Sequence, residues 1–167
     1  MAAHMNPRIT PEEHGSRLGK LRAAVRRAEL DVFVVSSFES IYYLTGASFE
    51  PLERPFFLLV RSEGPLTLLV PQLDYEHMTK AYNVDIEDIR TYWEYPAPAG
   101  RDWPGRLLEE LGDDEEVGVE PTLRQEFAQH LRGRTVRMEP LVERLRLVKS
   151  GGDSDDSPCR EVRGQWG

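Results

Sequence analysis

The stretch PFFLLVRSEGPLTLLVP, residues 55–71, is apolar almost throughout except at its centre. Glu63-Gly64 breaks it with a turn, so residues 55–62 and 65–71 read as the two strands of a hairpin. Strands this apolar on both faces cannot lie against water and need cover above and below. A third run, DVFVV at 31–35, is rich in β-branched residues and reads as another buried strand. The fold must therefore supply helices on both sides of a sheet.

The helix signals are present. Thr10-Pro11-Glu12-Glu13 is a start, with Thr10 as N-cap, Pro11 at the first helical position and Glu13 closing a capping box. Leu18, Leu21, Val25 and Ala28 follow at helical spacing. Residues 38–45 predict a short helix ended by Gly46, and 72–82 a longer one. Residues 88–95 predict a strand, PAPAGRDWPG a loop, and 106–112 a helix stopped by Gly112. The last third has a simple rhythm, in which EVGVEP and TVRMEP are strands leading into the helices TLRQEFAQHLRG and LVERLRLVKS. The expected fold is α/β, a mixed sheet of about six strands flanked by helices on both faces.

One domain over 11–150 accounts for this pattern. Residues 1–10 fall outside it and read as disordered or as an expression remnant that includes the opening MAAHM. Residues 151–167 lack apolar periodicity and cluster Gly, Ser and Asp, which predicts a disordered tail.

Charge and composition narrow the function. A net charge of −8 argues against a nucleic-acid surface. The basic residues Arg22, Arg26, Arg27, Arg144 and Arg146 sit among acids at helical spacing and read as solvated helix faces. A single cysteine, Cys159, rules out an internal disulfide and fits a reducing, cytoplasmic setting. No apolar run approaches the roughly 20 residues that span a bilayer. His4, His14, His77 and His130 are scattered, and Asp113-Asp114-Glu115-Glu116 reads as a solvated turn. Neither a catalytic residue nor a metal site is assigned. Tyr42, Phe56, Phe57, Leu58, Leu59 and Leu69 read as core.

Several segments carry a resemblance. Arg17-Leu18 with Leu21-Arg22, then LDVFVVSSFESIYYLTGASF, ERPFFLLV and LLVP, and finally VERLRLVKS, together resemble the N-terminal domain of the creatinase/prolidase/aminopeptidase P family over residues 12–150. The resemblance implies a ribonuclease-H-like sheet motif and a following pita-bread catalytic domain. That second domain would hold two divalent metal ions (Mn, Co or Zn) on Asp, Asp, His, Glu and Glu, except in creatinase-type members, which need none. It would lie beyond this chain, which implies no cofactor of its own. The resemblance also implies a homodimer or self-association, with loops of this domain reaching a partner's active site.

Within that implication Arg54 would hold a substrate carboxylate, with Phe49 and Tyr43 as an apolar wall and Trp93 lining the cleft. Pro51 and Pro55 would restrict the Arg54 loop. The loop ASFEPLERP departs from creatinase-type members in carrying Glu50 and Glu53, and pairing of Arg54 with one of those acids is the structural alternative. After Ser150 the expected acidic helix start is replaced by Gly151-Gly152-Asp153. A one-base slip in the gene would account for that, as would a deliberate truncation or a stand-alone paralogue, and the nucleotide sequence tests the slip. A stand-alone α/β ligand- or protein-binding module is the second functional reading. A ribonuclease-H-like nuclease is set aside, because VFVV and FFLLV carry no acid for Mg ions.

Overall fold

The computed structural model describes residues 9–50 and 53–148. The expectations for residues 1–8 and 149–167, including the tail, the frame slip and Cys159, lie outside them. Helix α1 (Pro11–Arg27) starts as the sequence predicts, with the Thr10 hydroxyl accepting from the Glu13 amide at 3.2 Å. Strand β1 (Val32–Val35) follows, then α2 (Phe38–Thr45), capped by Ser37 and ended by Gly46 in the left-handed region at φ 68°. The hairpin is β2 (Phe57–Val60) and β3 (Thr67–Pro71), registered Phe57 to Leu69 and Leu58 to Leu68. Next come α3 (Tyr75–Met78), β4 (Ile89–Tyr92), α4 (Trp103–Leu111), β5 (Glu116–Val119), α5 (Gln125–Ala128), β6 (Thr135–Met138) and α6 (Leu141–Leu147).

The six strands form one mixed sheet in the order β4-β3-β2-β1-β5-β6. β2 runs antiparallel to both neighbours, and the remaining pairings are parallel. Five strands therefore end at the same edge of the sheet, where β2 begins. Period-two alternation distributes the side chains between two layers. Phe33, Val35, Leu58, Val60, Leu68 and Val70 pack with Leu21, Val25, Ile41, Leu44, Met78 and Val142. Val32, Val34, Phe57, Leu59, Leu69, Val117 and Val119 pack on the other side with Leu107, Leu111, Phe127 and Leu131. Gly118 faces the first layer, where a Cβ would come within 2.5 Å of Leu30 and 2.7 Å of Phe33.

Several elements are shorter or displaced relative to the sequence reading. The helix expected over 72–82 is a 3-10 turn (Gln72–Asp74) followed by the four-residue α3. Beyond it Asn83, in the left-handed region at φ 66°, turns the chain and donates from its side-chain amide to the carbonyls of His14 and Leu44. α5 and a 3-10 turn (Gln129–Leu131) replace the helix expected over TLRQEFAQHLRG. α4 starts three residues early, because Asp102 caps the Gly105 amide and Pro104 suits the first turn. Tyr42, read as core, is 44% exposed, since it lies on the outer face of α2. Arg22 is not a solvated cation: its guanidinium donates to the Arg61 and Gly64 carbonyls and ties α1 to the hairpin turn.

His14 is the polar member of the buried face of α1, at 2% exposure. Its Nδ1 lies 3.2 Å from the Tyr43 carbonyl, and its ring stacks on Tyr82 with centroids 5.0 Å apart. Gly46 makes room, because a Cβ there would sit 3.0 Å from His14 Nε2 and 3.1 Å from the Tyr82 ring. Burial lowers the His14 pKa below its ordinary 6.5, and the nearby Arg17 acts in the same direction; the Tyr43 carbonyl and Glu13 oppose them. A lowered folded-state pKa means that the stability contribution is present above about pH 6.5 and is lost as pH falls through the folded value. Glu143, whose pKa is raised, acts in the opposite sense as pH falls. The melting temperature is expected to drop between pH 7.5 and pH 5, and less steeply in His14→Gln. Equal slopes for the two proteins would show that His14 is not the responsible group.

Candidate functional site at the carboxyl edge of the sheet

The edge where five strands end brings the sequence candidates into one region. After β1 the chain enters α2, which packs in the first layer; after β5 it enters α5, which packs in the second. The gap between β1 and β5 is thus a point where successive connections leave to opposite faces, the position at which open α/β sheets form ligand crevices. A concavity of about 230 Å³ lies there, lined by Ser36, Ser37, Phe38, Glu39, Phe49, Arg54, Pro55, Phe56, Thr122, Arg124 and Phe127.

Its floor is organised by one carboxylate. Glu120, directly after β5, is 0% exposed. Oε1 accepts from the Ser36 and Ser37 amides at 2.7 and 2.9 Å, and Oε2 accepts from the Ser37 and Ser40 hydroxyls at 2.9 and 2.7 Å. These four bonds fasten the β1–α2 turn to the end of β5. Burial pushes the carboxyl pKa of the adjacent Glu143, on α6, above its ordinary value, and the Glu120 carboxylate pushes it the same way. Sequence reading missed Glu120. Its signal was an acid directly following an apolar strand, opposite the Ser36-Ser37 step.

Arg54 stands at the rim. Its Nη1 is 2.9 Å from Glu94 Oε1 and 3.7 Å from Asp74 Oδ2, so its partners are acids from the ends of β3 and β4 and not Glu50 or Glu53. The hydrogen bond that Arg54 donates to Glu94 is the main cause of its raised pKa. The Tyr92 hydroxyl, whose pKa burial pushes up, donates to the Pro55 carbonyl at 2.9 Å and fixes the residue beside Arg54. Phe49 stacks on Phe56 at 3.9 Å and meets Phe38 edge-on at 5.2 Å, forming the apolar wall. Arg124, a second cation on the lining, is ion-paired with Glu126 and lies over Phe127.

Arg54 and Phe49 thus share this concavity, whereas Tyr43 and Trp93 are not on its lining. Tyr43 is covered by the Arg17 guanidinium, and its hydroxyl is 3.4 Å from the Leu145 carbonyl. Trp93 is 54% exposed at the end of β4, at the same edge as Leu73 and the almost fully exposed Tyr95. His77 and His130 are exposed, as expected from their polar surroundings, although His130 meets Trp103 edge-on at 4.8 Å. Among the described residues, no group of three or more His, Cys, Asp or Glu side chains is placed to hold a metal ion. No described helix is long and apolar enough to cross a membrane.

The creatinase/prolidase N-terminal domain family model matches residues 17–148. The chain belongs to that family. Among curated protein sequences, none matches it. The dipeptidase PepE from Mycobacterium ulcerans superposes with a TM-score of 0.71 at 21% identity, covering 87% of this chain and 39% of its own. A proline dipeptidase structure from Streptococcus pneumoniae TIGR4 gives 0.67 at 26% identity, covering 79% of this chain and 98% of its own. The creatinase/prolidase N-terminal domain of an X-Pro dipeptidase from Streptococcus pyogenes gives 0.65 at 19% identity, over 80% and 98%. This creatinase/prolidase N-terminal domain therefore spans about two fifths of PepE and nearly all of the two streptococcal chains.

Proposed function

We propose that this chain is the non-catalytic N-terminal domain of a metal-dependent Xaa-Pro peptidase or creatinase-type hydrolase, acting in the cytoplasm. Its role is to dimerise and to complete the substrate cleft of a catalytic domain. The observation that supports this most is Arg54, held at the carboxyl edge of the sheet beside a concavity walled by Phe49. Both ion pairs of Arg54 use Nη1, and its side chain remains 34% exposed, so part of the guanidinium fork faces outward. A planar guanidinium binds a carboxylate through two parallel bonds, which suits the C-terminal carboxylate of a dipeptide. Glu94 and Asp74 hold it in place, which lowers the ordering entropy lost on binding. Exposed Leu73, Trp93 and Tyr95 at the same edge support a role in contacts between subunits.

The two divalent ions of the family have no matching ligand set among the described residues. Glu120, the buried carboxylate, commits both oxygens to four donors, and His14 is packed against Tyr43 and Tyr82. No chemical step is assigned to this chain.

Purified chain supplied with Mn, Co or Zn ions is expected to leave an Ala-Pro dipeptide intact. The same dipeptide should perturb backbone amide resonances near Phe49, Arg54 and Phe127, and Arg54→Ala should abolish that response. Metal-dependent cleavage would overturn the non-catalytic reading. A wild-type spectrum unmoved by the dipeptide would overturn the cleft assignment.

A further inference from the structure

A second concavity, of about 350 Å³, shares no lining residue with the first. It lies where the C-terminal turn of α1, the end of β6 and α6 meet, and three arginines face it: Arg27, Arg137 and Arg144. Glu139 is the acid on its lining, and Ala24, Ala28, Leu141 and Leu145 supply an apolar floor. Three guanidinium groups against Glu139 on the lining and Glu116, 3.8 Å from Arg137, leave one net positive charge, in a chain whose overall charge is −8.

Two of the three arginines are not consumed by internal pairing. The side chains of Arg27 and Arg144 make no hydrogen bond or ion pair among the described residues. Arg137 donates from Nη2 to the Ala28 carbonyl, which fixes its guanidinium. Its Nε is buried without a hydrogen-bond partner and has the Glu116 carboxylate only at 3.8 Å. A buried charged donor without an acceptor is a cost that a ligand oxygen would relieve.

We infer that this concavity is a binding site for a phosphate monoester carrying a small apolar group. A phosphate monoester has close to two negative charges at neutral pH and three oxygens that guanidinium groups engage in pairs. The apolar floor accepts the esterified carbon group, and the volume lies within the range of small-molecule sites. A carboxylate offers half the charge and one fewer oxygen, so it binds more weakly at the same place.

The test is a titration of the 167-residue chain, observed through backbone amide resonances, with phenyl phosphate, inorganic phosphate and benzoate in turn. Phenyl phosphate is expected to saturate, with shifts centred on Ala24, Ala28, Arg137 and Leu141, and to bind at least tenfold tighter than benzoate. Inorganic phosphate should bind at the same residues but more weakly, because it leaves the floor empty. The double variant Arg27→Ala, Arg144→Ala should lose at least tenfold in affinity with an unchanged melting temperature, since neither side chain has a structural partner. Shifts that never saturate, an affinity unchanged in the variant, or benzoate binding as tightly as phenyl phosphate would each overturn the assignment.

Discussion

Replacing Glu120 with alanine is expected to destabilise the domain by about 3 kcal/mol, because it orphans two part-buried amides and strands two hydroxyls, each unsatisfied group costing about 1–3 kcal/mol when buried. The amides are those of Ser36 and Ser37, and the hydroxyls those of Ser37 and Ser40. Glu120→Gln keeps one acceptor oxygen and lets the hydroxyls rotate to accept from the new amide, so its cost should be nearer 1–2 kcal/mol. Urea denaturation followed by circular dichroism measures both, through midpoint shifts at unchanged slope. A loss below about 1 kcal/mol for the alanine variant would mean that solvent replaces the carboxylate and that it does not hold the turn.

The second large effect lies in the other layer. Phe57 is 0% exposed, with Trp103 and Phe127 each 5.6 Å away between ring centroids. Phe57→Ala removes the ring between α4 and α5 and is expected to cost about 3–5 kcal/mol, from lost transfer energy plus the remaining cavity. Phe57→Leu should cost less than half of that, because it refills most of the volume. Since Trp103 touches the deleted ring, its fluorescence should shift before global unfolding in the alanine variant. Unchanged stability would place the cohesion of this layer in Leu107, Leu111 and Leu131 instead.

What the sequence disclosed follows from what local pattern can encode. Strands β1, β2 and β3 are uniformly apolar, and α1 carries its own cap, so burial and register were legible there. α5 was over-read because TLRQEFAQHLRG has helical residues throughout, while its docking rests on Leu123, Phe127 and Leu131 with the partly buried Ala128. Tyr42 and Tyr43 are adjacent and chemically alike; which of them turns outward is set by the rotation of α2, fixed at one end by Ser37 and at the other by Gly46. Arg54 and Phe49 could be singled out as neighbours of a proline-bounded loop. The partners of Arg54 could not, because Asp74 and Glu94 reach it only once β3 and β4 lie side by side. Glu120 was hidden for the same reason, its donors being 80 to 84 positions away in the chain.

That separation bears on how the polypeptide acquires its shape. β4, β3, β2 and β1 form four contiguous strands of the six, from residues 32–92, with close-range pairings between successive strands. β5 must then return across the whole of that segment to lie beside β1, a closure of long range that carries a larger entropic barrier than any hairpin. On a ribosome these four strands emerge with one flank of β1 bare, and that flank stays bare until residues 116–120 have been synthesised. The serine amides at the end of β1 wait through the same interval for their carboxylate, so the Glu120 lock is among the last parts of the domain to be made.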